Sequence, residues 1–190
     1  MPKGVMWRQE DIFFAGMGGA NPLGTPVSSP EEVAQQAPER GALTMFPVAP
    51  LMHGAAQLGT WIGFLQASKV VLVRKFEPID VIETANREGV ISMSIVGDAM
   101  ARPIAEALEG PLAGVGLPSV LALSSAGAIF SQAVKDKLKE LVPHVALMDN
   151  YGASETGFQG VGKEGSSPDA GLKFSVNVRT TVLDHELKLV

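Results

Sequence analysis

There is no cysteine in the 190 residues, so disulfides, thiolate catalysis and cysteine-ligated zinc are excluded outright. Histidine is nearly as scarce, and His53, His144 and His185 are too dispersed to suggest a metal site by spacing. Charge is thin: 18% of residues are charged and the formal net charge is -5, which gives no global basic attraction for nucleic acid or an anionic membrane. No uninterrupted apolar stretch approaches the roughly 20 residues that span a bilayer, and the first residues show no basic-then-apolar pattern. The expectation is a soluble, cytoplasmic protein with no transmembrane segment and no nucleic-acid partner. What is abundant is apolar: 46% of residues are hydrophobic, enough for one core-rich domain or part of a larger one.

The organising stretch is Asn150-Tyr151-Gly152-Ala153-Ser154-Glu155-Thr156-Gly157. It places an aromatic ring, a flexible glycine, a hydroxyl and a carboxylate in what reads as one short loop after an apolar run. Those are the parts of a nucleotide and metal site: a ring to lie against a purine, a glycine that lets backbone approach the ligand, a donor for phosphate oxygen, and a hard oxygen for Mg2+. The plain alternative is a polar turn whose Ser154 caps a helix.

Periodicity organises the rest. Glu10 to Ala20 reads as a helix fading into glycines, and 21–38, rich in Pro, Ser and Gly, as a surface connection. Strands are predicted at 43–48, 70–73, 90–96, 120–124 and 145–148. Helices are predicted at 55–66, buried on most sides, and at 78–87, 98–108 and 131–141. The last is amphipathic, with Lys135, Asp136, Lys137, Lys139 and Glu140 outward. Alternating strands and helices predict an α/β fold, a mostly parallel sheet with helices on both faces. Ligands of such sheets bind beyond the carboxyl ends of the strands, where Ser125-Ala126-Gly127-Ala128 and 150–155 both fall. Asp98 reads as a helix N-cap, and Trp61, Met93 and Met100 as core or the wall of an apolar tunnel. Asp149 and Glu155 form a possible acid/base pair, although the loop context and the lack of aromatic platforms count against a glycosidase. Gly160 to Gly171 reads as a loop and 176–189 as one or two strands around Asp184-His185, which divides the chain into an α/β part, 1–158, and the start of a β subdomain, 159–190.

Four stretches, in one fixed order, resemble the adenylate-forming (AMP-binding) superfamily, which includes acyl-CoA synthetases, luciferases and peptide-synthetase adenylation domains. Pro2-Lys3-Gly4-Val5 is similar to the closing half of its phosphate-binding loop. Pro50-Leu51-Met52-His53-Gly54 and Ser125-Ala126-Gly127-Ala128 come next, and Tyr151 to Glu155 is similar to its Tyr-Gly-x-Ser/Thr-Glu motif. The stretch from Lys3 to Asp11 looks most like actinobacterial ligases for fatty acids and steroid side chains. Ala126 and Ile129 depart from the common Ser-Gly-Gly-Ala-Pro. The resemblance implies a ligase that uses ATP, Mg2+ and coenzyme A to convert a fatty or steroid-side-chain carboxylic acid, through an acyl adenylate, into an acyl-CoA. It implies Lys3 at phosphate oxygens, His53 by the carboxylate end of the acyl pocket and Gly127 and Ala128 beside adenine. Asn150, Tyr151 and Gly152 would contact the nucleotide, Ser154 the α-phosphate, and Glu155 the metal. Met1 falls inside the family's Thr-Gly-x-Pro-Lys-Gly, so the expectation is a central piece of a larger enzyme, inactive alone. The alternatives are a non-catalytic nucleotide- or acyl-binding module, or a structural remnant that needs a partner.

Overall fold

The computed structural model describes residues 4–21, 24, 27–40, 43–162, 173–176 and 180–189. The expected helix from Glu10 breaks early: α1 (Gln9–Asp11) passes into a π-helical turn at Ile12–Gly16 and a 3-10 turn at Gly18–Ala20. Gly19 at φ +64° and Ala20 at φ +57° are left-handed, a conformation that no α-helix continues through. The expected connection at 21–38 instead contains α2 (Pro30–Arg40). Pro30 at its start and Glu31 and Glu32 in its first turn are what a helix N-terminus favours.

The alternation beyond α2 is as expected, with the first four strands shorter and the fifth longer. In order come β1 (Thr44–Pro47), α3 (Gly54–Leu65), β2 (Lys69–Val70), α4 (Pro78–Glu88), β3 (Ser92–Ile95), α5 (Gly97–Glu109), β4 (Ala122–Ser125), α6 (Gln132–Leu141), β5 (Ala146–Ala153), β6 (Gly157–Gly162) and β7 (Phe174–Val176). Local chemistry sets the boundaries. Pro78 opens α4, and Gly89, left-handed at φ 63°, closes it by returning its amide to the carbonyls of Ala85 and Asn86.

The sheet order is β2-β1-β3-β4-β5-β6-β7. The first five strands are parallel, and β6 and β7 are antiparallel additions. Because β2 lies on one side of β1 and β3 on the other, right-handed crossovers place α3 on one face and α4, α5 and α6 on the opposite one. The packing agrees. Gly63 of α3 sits against Val70 and Met45, while Val81, Ile82, Ile104, Val134 and Leu138 join Phe46, Met93 and Leu123 in the main core. The paired row Phe46, Met93, Leu123, Leu147 lies on that buried face. Met93 and Met100 are core residues, 0% and 7% exposed.

Two expectations about burial are corrected. Helix α3 buries only its small residues Ala56, Thr60 and Gly63, and leaves Trp61, Phe64 and Leu65 exposed. Absence of charge in the segment concealed this, since the narrow side is what lets the helix approach the sheet. Lys135 is not outward but 8% exposed. It shares the buried face of α6 with Val134 and Leu138. Among the described residues, no helix is long and apolar enough to cross a membrane.

Candidate functional site

The parallel strands leave one rim at their carboxyl ends, and the segments leaving β1, β3, β4 and β5 converge there. The order reverses between β2-β1 and β3-β4-β5, so connections diverge beside β1 and open a crevice at that rim. His53 comes from the β1 exit as the residue preceding α3, and Gly127 from the β4 exit. A Cβ added to Gly127 would lie 2.7 Å from Cε1 and 2.9 Å from Nε2 of His53. The same substitution at Gly54 would meet Ser154 Oγ at 3.2 Å. Register pairs Ser125 with Asp149, so the turn carrying Gly127 and Ala128 and the arm carrying Asn150 and Tyr151 leave neighbouring strands at the same level.

The loop after β4 is held from β3. The Gly97 amide donates to Ser125 Oγ at 2.8 Å, the Asp98 amide to the Ile129 carbonyl at 2.8 Å, and the Ser131 amide to Asp98 Oδ1 at 2.8 Å. Asp98 therefore does not cap its own helix. The cap residue of α5 is Val96, without a side-chain bond, and the Asp98 carboxylate instead secures the amide of Ser131, the cap residue of α6. A carboxylate near the start of a helix satisfies whichever amide lies closest, and the sequence does not say which helix that is.

The organising stretch is not a loop throughout. Strand β5 continues to Ala153; its first half pairs with β4 and its second half with β6, with a bulge between Tyr151 and Gly152. Ser154 and Glu155 occupy the tight turn before Gly157 and are exposed, and no helix comes after them for Ser154 to cap. The pairing is possible because β6 carries Gly157, Gly160 and Gly162; a side chain at Gly152 would run into the Gly157 carbonyl. Tyr151 is 52% exposed, with its ring 5.2 Å from that of Phe174 on β7 and tilted by 37°. Its ring is held at an edge and still available to a flat ligand. Asn150 Oδ1 and His53 Nδ1 are buried without hydrogen-bond partners in the protein. Orphan polar atoms of this kind carry a desolvation cost that a ligand can relieve, and an acceptor at Asn150 suits an exocyclic amine.

The N-terminal segment lies against this turn. Trp7 Nε1 donates to the Ser154 carbonyl at 3.0 Å. Gly157, at φ +67°, lies so close to Gly16 that an added Cβ would be 2.5 Å from the Gly16 carbonyl oxygen. Lys3 lies outside the described residues. Arg8 forms a two-bond pair with Asp11, at 2.6 and 2.8 Å. The guanidinium hydrogen bond holds the Asp11 carboxyl below its ordinary range.

Asp149 and Glu155 are not an acid/base pair: the Asp149 carboxylate is bonded to Lys135, while Glu155 sits at the exposed turn. Among the described residues, no three His, Asp or Glu side chains gather into a group that could hold a metal. A single exposed carboxylate fits a cation such as Mg2+, which takes one or two carboxylates together with substrate phosphates rather than an all-protein cage. The sequence pattern does not reveal the contact of Trp7, the bond of Asp98 to the start of α6 or the inward Lys135. None of the three leaves a periodic signal, since each depends on a partner from another element.

A family model described as AMP-binding enzyme matches residues 1–190. The medium/long-chain-fatty-acid–CoA/3-oxocholest-4-en-26-oate–CoA ligase of Mycolicibacterium smegmatis is 36% identical over 191 residues, covering 97% of this chain and 35% of that protein. The medium-chain acyl-CoA ligase of Mycobacterium avium is 39% identical over 163 residues, covering 84% and 29%. The chain thus spans about a third of the length of the curated relatives it matches. Among solved structures, the luciferase-like enzyme of the mealworm Zophobas morio aligns with a TM-score of 0.61 at 20% identity, covering 84% of this chain and 40% of the other. The amide bond synthetase of Marinactinospora thermotolerans gives 0.60 at 20%, covering 86% and 34%. At these identities the structural likeness is one of fold.

Proposed function

The chain belongs to the AMP-binding enzyme family, and from that premise we propose that it forms the nucleotide-facing wall of an ATP-dependent acyl-CoA ligase for a fatty or steroid-side-chain carboxylic acid. The observation that supports this reading is the contact of His53 with Gly127 together with the approach of its neighbour Gly54 to Ser154, at one rim of the parallel sheet. These residues come from three separate exits, and the turn of Ala128 and the strand of Asn150 and Tyr151 leave the sheet beside them.

In the reaction proposed, a substrate carboxylate oxygen attacks the α-phosphorus of ATP and pyrophosphate leaves, giving an acyl adenylate. The CoA thiol then attacks the acyl carbon and AMP leaves. A carboxylate is already ionised near neutrality, so the first step needs positioning and charge neutralisation rather than a general base. Gly127 and Ala128 offer one side to the purine, and Tyr151 offers its exposed face. Asn150 Oδ1 accepts from the exocyclic amine. Ser154 donates to the α-phosphate, Lys3 serves the outer phosphates, and His53 orients the substrate carboxylate. Mg2+, when bound beside Glu155, neutralises phosphate charge. The domain division at 158 and 159 belongs to the same proposal, with 159–190 as a loop and the start of a β subdomain. The chain covers about a third of its relatives, so the remaining groups of the reaction are assigned to residues outside these 190.

Calorimetric titration with AMP and with ATP and Mg2+ tests the reading. Saturable AMP binding that Tyr151→Ala weakens is the expected result, with no pyrophosphate release when a long-chain acid is added. Absence of AMP binding overturns the nucleotide wall, and formation of acyl-AMP by the chain overturns the assignment of the remaining groups elsewhere.

A further inference from the structure

Resting on the nucleotide reading, we infer that Lys135 and Asp149 are positioning residues: their buried ion pair is the strut that sets the gap between the two walls of the site. Lys135 lies on α6, just after the loop that carries Gly127 and Ala128. Its amide donates to the Ser131 carbonyl at 3.1 Å, and its ammonium sits 5.1 Å from the centre of the Phe130 ring. Phe130 is 2% exposed and ends that loop, so the cation holds the first wall by its aromatic anchor. Asp149 directly precedes Asn150 and pairs in register with Ser125. It is also pressed by β6, because a Cβ at Gly162 would lie 3.1 Å from Asp149 Cβ. One ion pair therefore ties the end of the first loop to the start of the second wall and to the strand that backs it.

Stability alone is a poor account of this arrangement. The two side chains are 10% and 17% exposed, and a desolvated ion pair is commonly no better than a well-packed apolar pair of similar volume. A buried ammonium and carboxylate must stay within hydrogen-bond reach of each other, whereas apolar side chains tolerate sliding contact. Keeping the Asp149 carboxylate within that reach limits how far β5 can shift from α6, and so how far Asn150 and Tyr151 stand from Gly127.

The test separates holding from folding. Lys135→Met leaves the buried Asp149 carboxylate unmatched and Asp149→Asn leaves the buried Lys135 charge uncompensated, whereas Lys135→Met combined with Asp149→Leu replaces the pair by apolar contact. AMP affinity by calorimetry, the thermal unfolding midpoint and amide exchange without ligand are measured for each. The single variants are expected to lower both the midpoint and AMP affinity. In the double variant the midpoint should return while AMP affinity stays at least about tenfold below the parent, since small misplacements in a preorganised site carry penalties of that size. Amide exchange at Gly127 and at 150–152 should stay faster than in the parent. A double variant that binds AMP like the parent overturns the inference and makes the pair packing only. A parent chain that binds no AMP overturns the nucleotide reading and this inference with it, and the parent titration alone distinguishes the two failures.

Discussion

The His53 ring rests directly on Gly127, with no room for a methyl group between them: a Cβ there would be 2.7 Å from Cε1. Gly127 also has φ +79°, a region that costs a side chain strain of about 1–3 kcal/mol. Gly127→Ala should therefore destabilise the chain by more than the strain alone. Adding His53→Ala should return the steric part and leave the backbone part. Denaturant unfolding of the two single variants and the double variant checks this, and strict additivity would mean that the two residues do not touch.

Asp98 makes a different demand, for an acceptor rather than for space. Its Oδ1 receives the Ser131 amide, and removing such a cap costs ~1 kcal/mol. Asp98→Ala is expected to lose about that much and to loosen the start of α6, whereas Asp98→Asn keeps a carbonyl oxygen and should lose less than half of it. Amide exchange at Ser131 reports the difference. Equal losses for Ala and Asn would point to the Arg102 ion pair instead.

Glu155 is exposed at its turn and makes no hydrogen bond or ion pair among the described residues. Surface substitutions of this kind stay within about ±0.5 kcal/mol. Glu155→Ala should leave the unfolding midpoint in place and abolish the Mg2+ dependence of ATP affinity, while AMP affinity measured without metal is unchanged. An undiminished Mg2+ effect would remove Glu155 from the metal's surroundings.

These contrasts show which parts of the site sequence can reveal. The α/β alternation was legible because β-branched runs and amphipathic helices each bury a face with its own period, and the position of Gly127 and 150–155 at the carboxyl rim came from that alone. The inward turn of Lys135 was not legible, because its partner Asp149 lies on another element and an ion pair across elements leaves no period. Strand β5 ran on through Ala153 for a related reason. Its polar, glycine-bearing segment looks like a loop until the glycines of β6 come alongside to pair with it. The exposure of Trp61 likewise depends on a close approach, at Gly63, that a linear pattern does not record.

The contact between Gly16 and Gly157 carries the last prediction, because it docks the N-terminal segment onto the turn of Ser154 and Glu155. Gly157 combines φ +67° with the Gly16 backbone beneath it, so Gly157→Ala cannot be absorbed by a rotamer change and must separate the two segments. Trp7 would then lose its bond to the Ser154 carbonyl. Trp7→Phe removes that one bond, worth about 1 kcal/mol, while leaving the backbone contact. Gly157→Ala should raise amide exchange from 9 to 20 and leave the cores of β3 and β4 protected, and Trp7→Phe should do so much less. If Lys3 serves the outer phosphates from this segment, Gly157→Ala should also reduce ATP affinity more than AMP affinity, because AMP lacks the β- and γ-phosphates. Equal losses for the two nucleotides would show that the docked segment supports the turn without reaching the phosphates.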